Sequence, residues 1–322
     1  MICASPKMSG FIPQQEDAYT PQQAMQLIAR SGEKKCVMRL DKFIYNSIIA
    51  GPLLGFGCAA ALIAGDAPWY SDNAPGVIHT LAGAVFPIGL ILIALTGAEL
   101  WTSTVFYTSV AFFERRASLF NVLKTWFLAF FANLGGILFF MYIICIYGGV
   151  FMAESAQEHC RTYAIGKAQS PGWHQIFLSA IGANWLVCLA VYQGILAREV
   201  VSKIIAIWWP IFIFVMLGMD HVIANMFLVP VGMYYGAPFG VGYYIWKSMI
   251  PAALGNIVGG CGFVGLSYWY MWMTSDEAVP AEFDKTWVEK DQNHPSKEKS
   301  RFPHSSSPES SDGHNEFNAS QV

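Results

Sequence analysis

Asp220 and His221 stand side by side in Gly218-Met-Asp-His-Val-Ile-Ala-Asn-Met-Phe-Leu-Val-Pro230, a stretch otherwise apolar enough to lie inside a bilayer. An ionisable side chain at that depth must face a cavity or a partner, because hydrocarbon offers it nothing to bond. His221 is the only histidine deep in an apolar run; His79 and His174 fall at the ends of such runs. A single imidazole there can bond a solute, relay a proton or hold a local field, whereas in a soluble core it would simply bond a carbonyl. Placed at the start of a helix, its neutral form is expected. Asn184, in Gly182-Ala-Asn184-Trp, and Thr102, in Glu99-Leu-Trp-Thr102, are the other polar groups able to orient the imidazole or bond a solute. A membrane threonine also commonly bonds its own helix carbonyl. Glu99 and Asp220 hold matching places and are expected to bond loop N–H groups.

The elements that must position these residues follow from composition. Of 322 residues 54% are hydrophobic and 13% charged, and the mean hydropathy is +0.40, which excludes an ordinary soluble domain. About 20 apolar residues are needed to cross a bilayer as a helix. Six segments meet that need, near 43–65, 77–112, 119–150, 173–197, 204–232 and 240–273, the second and fifth interrupted. An all-α membrane protein with six spans is therefore expected. In the fifth, the apolar run Trp208 to Leu217 stops at Gly218 and resumes at Val222, predicting two half-helices. The N–H donors opening the second half would point at something negative near the midplane.

The halves repeat. Pro87 then Gly97-Ala-Glu99 matches Pro210 then Gly218-Met-Asp220, and Asn133-Leu-Gly-Gly136 matches Asn256-Ile-Val-Gly-Gly260, with acid-to-Asn separations of 34 and 36 residues. Three spans per half force the second copy to enter from the opposite face, so the repeat is inverted and its site lies where the interrupted helices meet. Glycines at 51, 55, 57, 135, 136, 259 and 260 are expected at close helix crossings. Asn133 and Asn256 are expected to glue helices together.

Outside the spans, residues 1–19 read as disordered, and residues 20–42 as an amphipathic helix with Thr20 as N-cap and Pro21 at the first position. An interfacial anchor is the simplest role for that helix, subunit contact the next. The tail 274–322 is Ser-, Pro- and charge-rich and is expected to be disordered, its histidines solvated rather than metal-bound. Arg30, Lys34, Lys35, Arg39 and Lys42, then Arg115, Arg116 and Lys124, then Arg198 and Lys203 mark one side. By the positive-inside rule both termini are cytoplasmic, in a multi-pass plasma-membrane protein. The seven cysteines have no C-x-x-C spacing and read as packing groups. A net charge of −3, with most charge in the tails, gives no surface for nucleic acid.

At these residues the chain resembles the formate/nitrite transporter family. The resemblance covers roughly residues 20–273 and rests on Gly-Ala-Glu-Leu-Trp-Thr at 97–102, Asn184-x-Leu-Val-Cys-Leu-Ala-Val191, Gly218-x-Asp-His-x-x-Ala-Asn-Met-Phe-x-x-Pro230 and Gly255-Asn-x-x-Gly-Gly260. It implies an aquaporin-like six-helix protomer in a homopentamer, one pore per subunit, carrying small monovalent anions such as nitrite and formate. It also implies that His221, Asn184 and Thr102 are central, that Phe86, Leu90, Leu100 and Phe214 form the constrictions, and that Lys167 stands in the outer vestibule. The long Ser-rich tail is most like that of fungal members associated with nitrite uptake. One motif departs: the family's Leu-Phe-Thr-Gly-Asn is Leu100-Trp-Thr-Ser-Thr104 here, which adds bulk and removes the entrance Asn.

Proton-assisted transport of a weak-acid anion through His221 is the function these residues suggest. A bare anion between apolar rings loses its hydration at a cost of many kcal/mol, and one proton removes most of that cost. Formate or another short monocarboxylate is the alternative to nitrite as cargo, and an aquaporin-like neutral-solute channel is the alternative of another class. Other classes lack their residues. A haem oxidoreductase needs paired axial histidines, an intramembrane hydrolase a nucleophile with its base or an H-E-x-x-H motif, and a receptor an ordered ligand domain. No enzyme activity and no cofactor are expected.

Overall fold

The computed structural model describes residues 18–274. Helix α1 (Pro21–Val37) is followed by α2 (Leu40–Gly65), the short α3 (Pro68–Asn73), α4 (Pro75–Val85), α5 (Ile88–Thr96), α6 (Trp101–Phe113) and α7 (Leu119–Phe139). The α7 helix continues as wider π turns over Phe140–Tyr147. The second half holds α8 (Glu154–Ala168), α9 (Trp173–Leu196), α10 (Val200–Met216) and α11 (Val222–Tyr234), then one helical run over Val241–Met273. That run consists of α12 (Val241–Tyr244), α13 (Ile250–Ile257) and α14 (Ser267–Met273), joined by π turns. Among the described residues five helical runs are long and apolar enough to cross a membrane: α2, α4 with α5, α7 with its extension, α9 and Val241–Met273. The expected span at 204–232 consists of two shorter apolar helices, α10 and α11.

The expected tail lies outside the described residues, as do residues 1–17 of the N-terminal segment. Order begins before residue 20, because Ala18 pairs with Ala197 and the Tyr19 N–H donates to the Leu196 carbonyl at 2.9 Å. Thr20 and Gln23 then cap α1 reciprocally, each side chain accepting from the other's backbone N–H at 3.3 and 2.9 Å. The helix stops at Val37, short of residue 42. Its apolar face is not spread on a membrane surface: Ala24, Ile28, Gly32 and Cys36 are buried, and the helix packs on α6 and α9. A Cβ on Gly32 would come within 2.9 Å of the Ala111 Cβ. Along α8 the matching stripe, Ala156, Cys160, Ala164 and Ala168, is buried, and Ala164 and Cys160 crowd Gly232 of α11. Each half thus begins with a helix whose small residues let a half-helix approach closely.

Both breaks end in a left-handed glycine. Gly97 (φ 76°) closes α5 and Gly218 (φ 68°) follows α10, a backbone region costly for any residue with a Cβ. The two prolines aligned in sequence behave differently: Pro87 separates α4 from α5, while Pro210 lies inside an uninterrupted α10. The restarting helices are pinned by the two asparagines. Asn133 accepts the Trp101 N–H at 2.8 Å and donates to the Ser47 and Glu99 carbonyls at 2.7 and 2.9 Å. Asn256 accepts the Val222 N–H at 2.9 Å and donates to the Ala180 and Asp220 carbonyls at 2.8 and 3.0 Å. These are the same three bonds in each half. Asn133 and Asn256 therefore do more than glue neighbours, and Glu99 and Asp220 do not serve as the loop N–H acceptors expected of them. The flanking glycines allow the crossings: a Cβ on Gly51 would lie 2.7 Å from the Gly136 carbonyl carbon, and one on Gly259 3.1 Å from the Trp185 nitrogen. Gly135, by contrast, faces open space.

Candidate functional site

His221 is the N-cap of α11, and its Nδ1 accepts the Ala224 N–H at 3.1 Å. Its Nε2 lies 2.8 Å from Thr102 Oγ1, in the first turn of α6, and both side chains are buried. Because Nδ1 is committed as an acceptor, the proton of the neutral ring is assigned to Nε2 and donated to the threonine hydroxyl. One hydrogen bond therefore joins the two broken segments at their meeting point. Two of the opening donors of α11 are already committed, the Val222 N–H to Asn256 and the Ala224 N–H to His221 itself. Asn184 likewise differs from expectation. Its amide donates to the Asn256 carbonyl of α13 at 2.6 Å and to the Thr102 carbonyl of α6 at 3.3 Å, so its partners are backbone groups rather than the imidazole.

Aromatic rings lie on one side of this pair. Phe86 and Phe214 meet edge to face with centroids 5.6 Å apart, and the Phe214 and His221 rings are 6.0 Å apart. Phe86, Phe214, Ala224, Leu228 and His221 share a void of about 20 Å³, room for one water-sized group. Beyond them opens a cavity of about 560 Å³ whose wall includes Lys167, Asp220, His79 and His159. On the opposite face of the repeat a cavity of about 130 Å³ is lined by Lys35, Leu90, Ser103, Tyr107 and Lys203. Of the expected constriction residues, Phe86 and Phe214 meet at His221 and Leu90 faces the smaller cavity. Leu100 is buried as the N-cap of α6 and borders none of these three spaces.

Each cavity holds a lysine paired with the acid of the nearby break. Lys167 Nζ, in the last turn of α8, donates to the Gly218 and Met219 carbonyls at 2.5 and 2.9 Å and lies 3.3 Å from Asp220 Oδ1. Asp220 also accepts from Asn225 Nδ2 at 3.1 Å. Burial, the largest single influence, would lower the Lys167 pKa, but the Asp220 charge, Tyr163 and the hydrogen bond to Asp220 together outweigh it and the net shift is upward, so the ammonium stays charged. Lys35, in the last turn of α1, pairs in the same way with Glu99, which also accepts from Thr104 Oγ1 at 3.4 Å. Sequence reading used Lys35 only to set orientation; what it lacked was that α1 and α8 begin the two repeats, so that Lys35 corresponds to Lys167. His159 was also missed, since nothing in its local sequence separates a vestibule histidine from a solvated one.

The loop that departs from the family pattern is accommodated. Trp101 turns away from the cavities and packs on Phe130 with centroids 5.3 Å apart, so its bulk goes to the α7 side. Thr104 bonds Glu99, and Ser103 lines the smaller cavity.

Comparisons with known proteins agree with this architecture. The formate/nitrite transporter family model matches residues 22–270. The chain is 36% identical over 247 residues to a probable formate transporter of Methanothermobacter thermautotrophicus, covering 73% of this chain and 90% of that one. Among solved structures it is similar to an FNT family ion channel (TM-score 0.69, 25% identity, 77% of this chain and 98% of that chain). It is also similar to a pentameric formate channel with formate bound (TM-score 0.64, 28% identity, 73% of this chain and 98% of that chain). The chain belongs to the formate/nitrite transporter family of multi-pass membrane transporters and channels.

Proposed function

We propose that the chain moves small monovalent weak-acid anions, nitrite foremost and formate as the alternative cargo, across the plasma membrane with the help of a proton. The observation that carries this reading is the His221–Thr102 pair, set between two lysine-bearing cavities and shielded from the larger one by the Phe86–Phe214 rings. Lys167 and Lys35 draw the anion into either cavity. Moving a bare charge from water into a medium of low dielectric costs on the order of 20 kcal/mol before relaxation, so the solute passes the rings as the neutral acid. His221, whose Nδ1 caps α11, acts as a neutral ring. Its Nε2–H and the Thr102 hydroxyl offer the solute one donor and one acceptor in a passage otherwise apolar.

The α10–α11 pair counts as one broken span, making six. The Lys- and Arg-rich ends place both termini in the cytoplasm, with the Lys167 cavity outside and the Lys35 cavity inside. Five copies assemble with one pore each, a reading supported by the similarity to a pentameric formate channel. The similarity to proteins named as formate transporters supports formate, and the fungal style of the sequence supports nitrite.

Proteoliposome uptake of nitrite, formate and lactate, across a range of pH and with and without an imposed proton gradient, tests the reading. His221→Asn is expected to abolish flux or uncouple it from the gradient; uptake at the wild-type rate in that variant rejects the role. Water or glycerol flux that competes with nitrite flux would favour a neutral-solute channel instead.

A further inference from the structure

The face of α8 that carries Lys167 also carries a second ionisable group. His159, Thr162, Tyr163, Gly166 and Lys167 recur at helical spacing and together line the large cavity. On its other side the His159 ring rests against Gly65, the last residue of α2. A Cβ there would lie 2.9 Å from Cε1 and closer still to Nε2. The next residue, Asp66, accepts from Ser155 Oγ at 3.1 Å through Oδ2, while its Oδ1 is buried with no hydrogen-bond partner. A buried carboxylate oxygen left in that state is costly, and the nearby imidazole is the group its charge favours protonating. An imidazole on the wall of a water-accessible cavity, packed against the residue next to a carboxylate, can take up a proton and pass it on.

We propose that His159, backed by Asp66, is the proton donor of the large vestibule. Its imidazolium gives an N–H proton to an oxygen of the weak-acid anion drawn in by Lys167, the N–H bond breaking as the O–H bond forms. The neutral acid goes on past Phe86 and Phe214, and the neutral imidazole regains a proton from solvent through the cavity mouth. This rests on the weak-acid reading above and adds the source of the proton.

The elements around the ring carry other ionisable groups. Asp66 ends α2, His79 of α4 has Nδ1 3.2 Å from the Met216 carbonyl, and Asp220 is paired with Lys167. Tyr163 and Cys160 lie on α8 itself, Tyr234 and Tyr235 at the end of α11, and Tyr244 and Lys247 on the run that follows. Glu158 and Arg161 are exposed and paired with each other at 2.7 Å. Burial lowers the His159 pKa below the ordinary imidazole value, and Asp66 offsets part of that shift. The ring therefore rests neutral and gains charge as the medium on its side turns acidic, at a pH below that of an ordinary imidazole.

The test uses the full chain in proteoliposomes, with internal pH fixed and external pH varied, and reads initial formate uptake in wild type, His159→Gln, His159→Asn, Asp66→Asn and His221→Asn. The two His159 variants are expected to lower the ratio of the rate near pH 5.5 to that near pH 7.5 by about threefold or more, mainly through kcat. Asp66→Asn is expected to move the acid limb to lower pH, because the charge favouring the imidazolium is gone. A ratio equal to that of wild type in both His159 variants, with or without a uniform loss of rate, overturns the proposal. Wild-type flux in His221→Asn strikes instead at the function proposed above, so the two failures are read apart.

Discussion

Thr102 reads the central pair without disturbing the helix cap that His221 provides. Replacing it by valine keeps the shape but leaves the Nε2–H of a buried ring without its acceptor, a loss of about 1–3 kcal/mol. If the same hydroxyl serves the passing solute, flux is expected to fall roughly tenfold, since 1.4 kcal/mol is one decade. Thr102→Ser should restore most of it. Uptake by Thr102→Val at the wild-type rate would mean that the 2.8 Å contact has no part in conduction. His221 and Thr102 were legible in the sequence because a polar side chain in an apolar run is rare and must be explained. The partners of Asn184 were not legible: an amide can bond a ring, a solute or a carbonyl equally well, and only the crossing of α9 with α6 and α13 decides for carbonyls.

Elements are held by bonds made across the fold rather than along the chain. The half-helices and their glycines could be read in order from the apolar pattern. The bonds that hold the breaks join residues up to 86 positions apart, and no local spacing encodes which side chain meets which carbonyl. Glu99 and Asp220 looked like the natural acceptors for loop N–H groups; the asparagines two helices away take that place, and the acids turn to the lysines. Asn133→Ala and Asn256→Ala should each lose three buried hydrogen bonds. At about 0.5–1.5 kcal/mol per bond, each variant should be destabilised by a few kcal/mol and melt well below wild type in detergent. Because the two asparagines hold equivalent places, the two drops should be similar in size. A melting temperature unchanged in either variant would show that its break is held by packing alone.

Across the whole molecule, the two matched halves each bring a lysine–acid pair to a cavity of their own, one of about 560 Å³ and the other of about 130 Å³. Lys167 with Asp220 stands at one and Lys35 with Glu99 at the other, each pair contributed by the amphipathic helix and the broken helix of its own half. If these lysines concentrate anions, each acts mainly on flux that begins at its own face, since each lines only the cavity on its own side and Coulomb attraction weakens with distance. Lys167→Met should raise the half-saturating anion concentration severalfold for entry from the large cavity and leave entry from the other side little changed; Lys35→Met should do the reverse. Either lysine, removed alone, leaves a carboxylate buried without its partner, a cost of about 3–5 kcal/mol, so the variants Lys167→Met/Asp220→Asn and Lys35→Met/Glu99→Gln are needed to separate capture from folding. Oriented vesicles loaded on one side and then the other give the measurement. Equal effects of one double variant on both directions of flux would show that the paired charges serve the fold alone, and a reversal of sides would place the termini opposite to the orientation inferred from the basic loops.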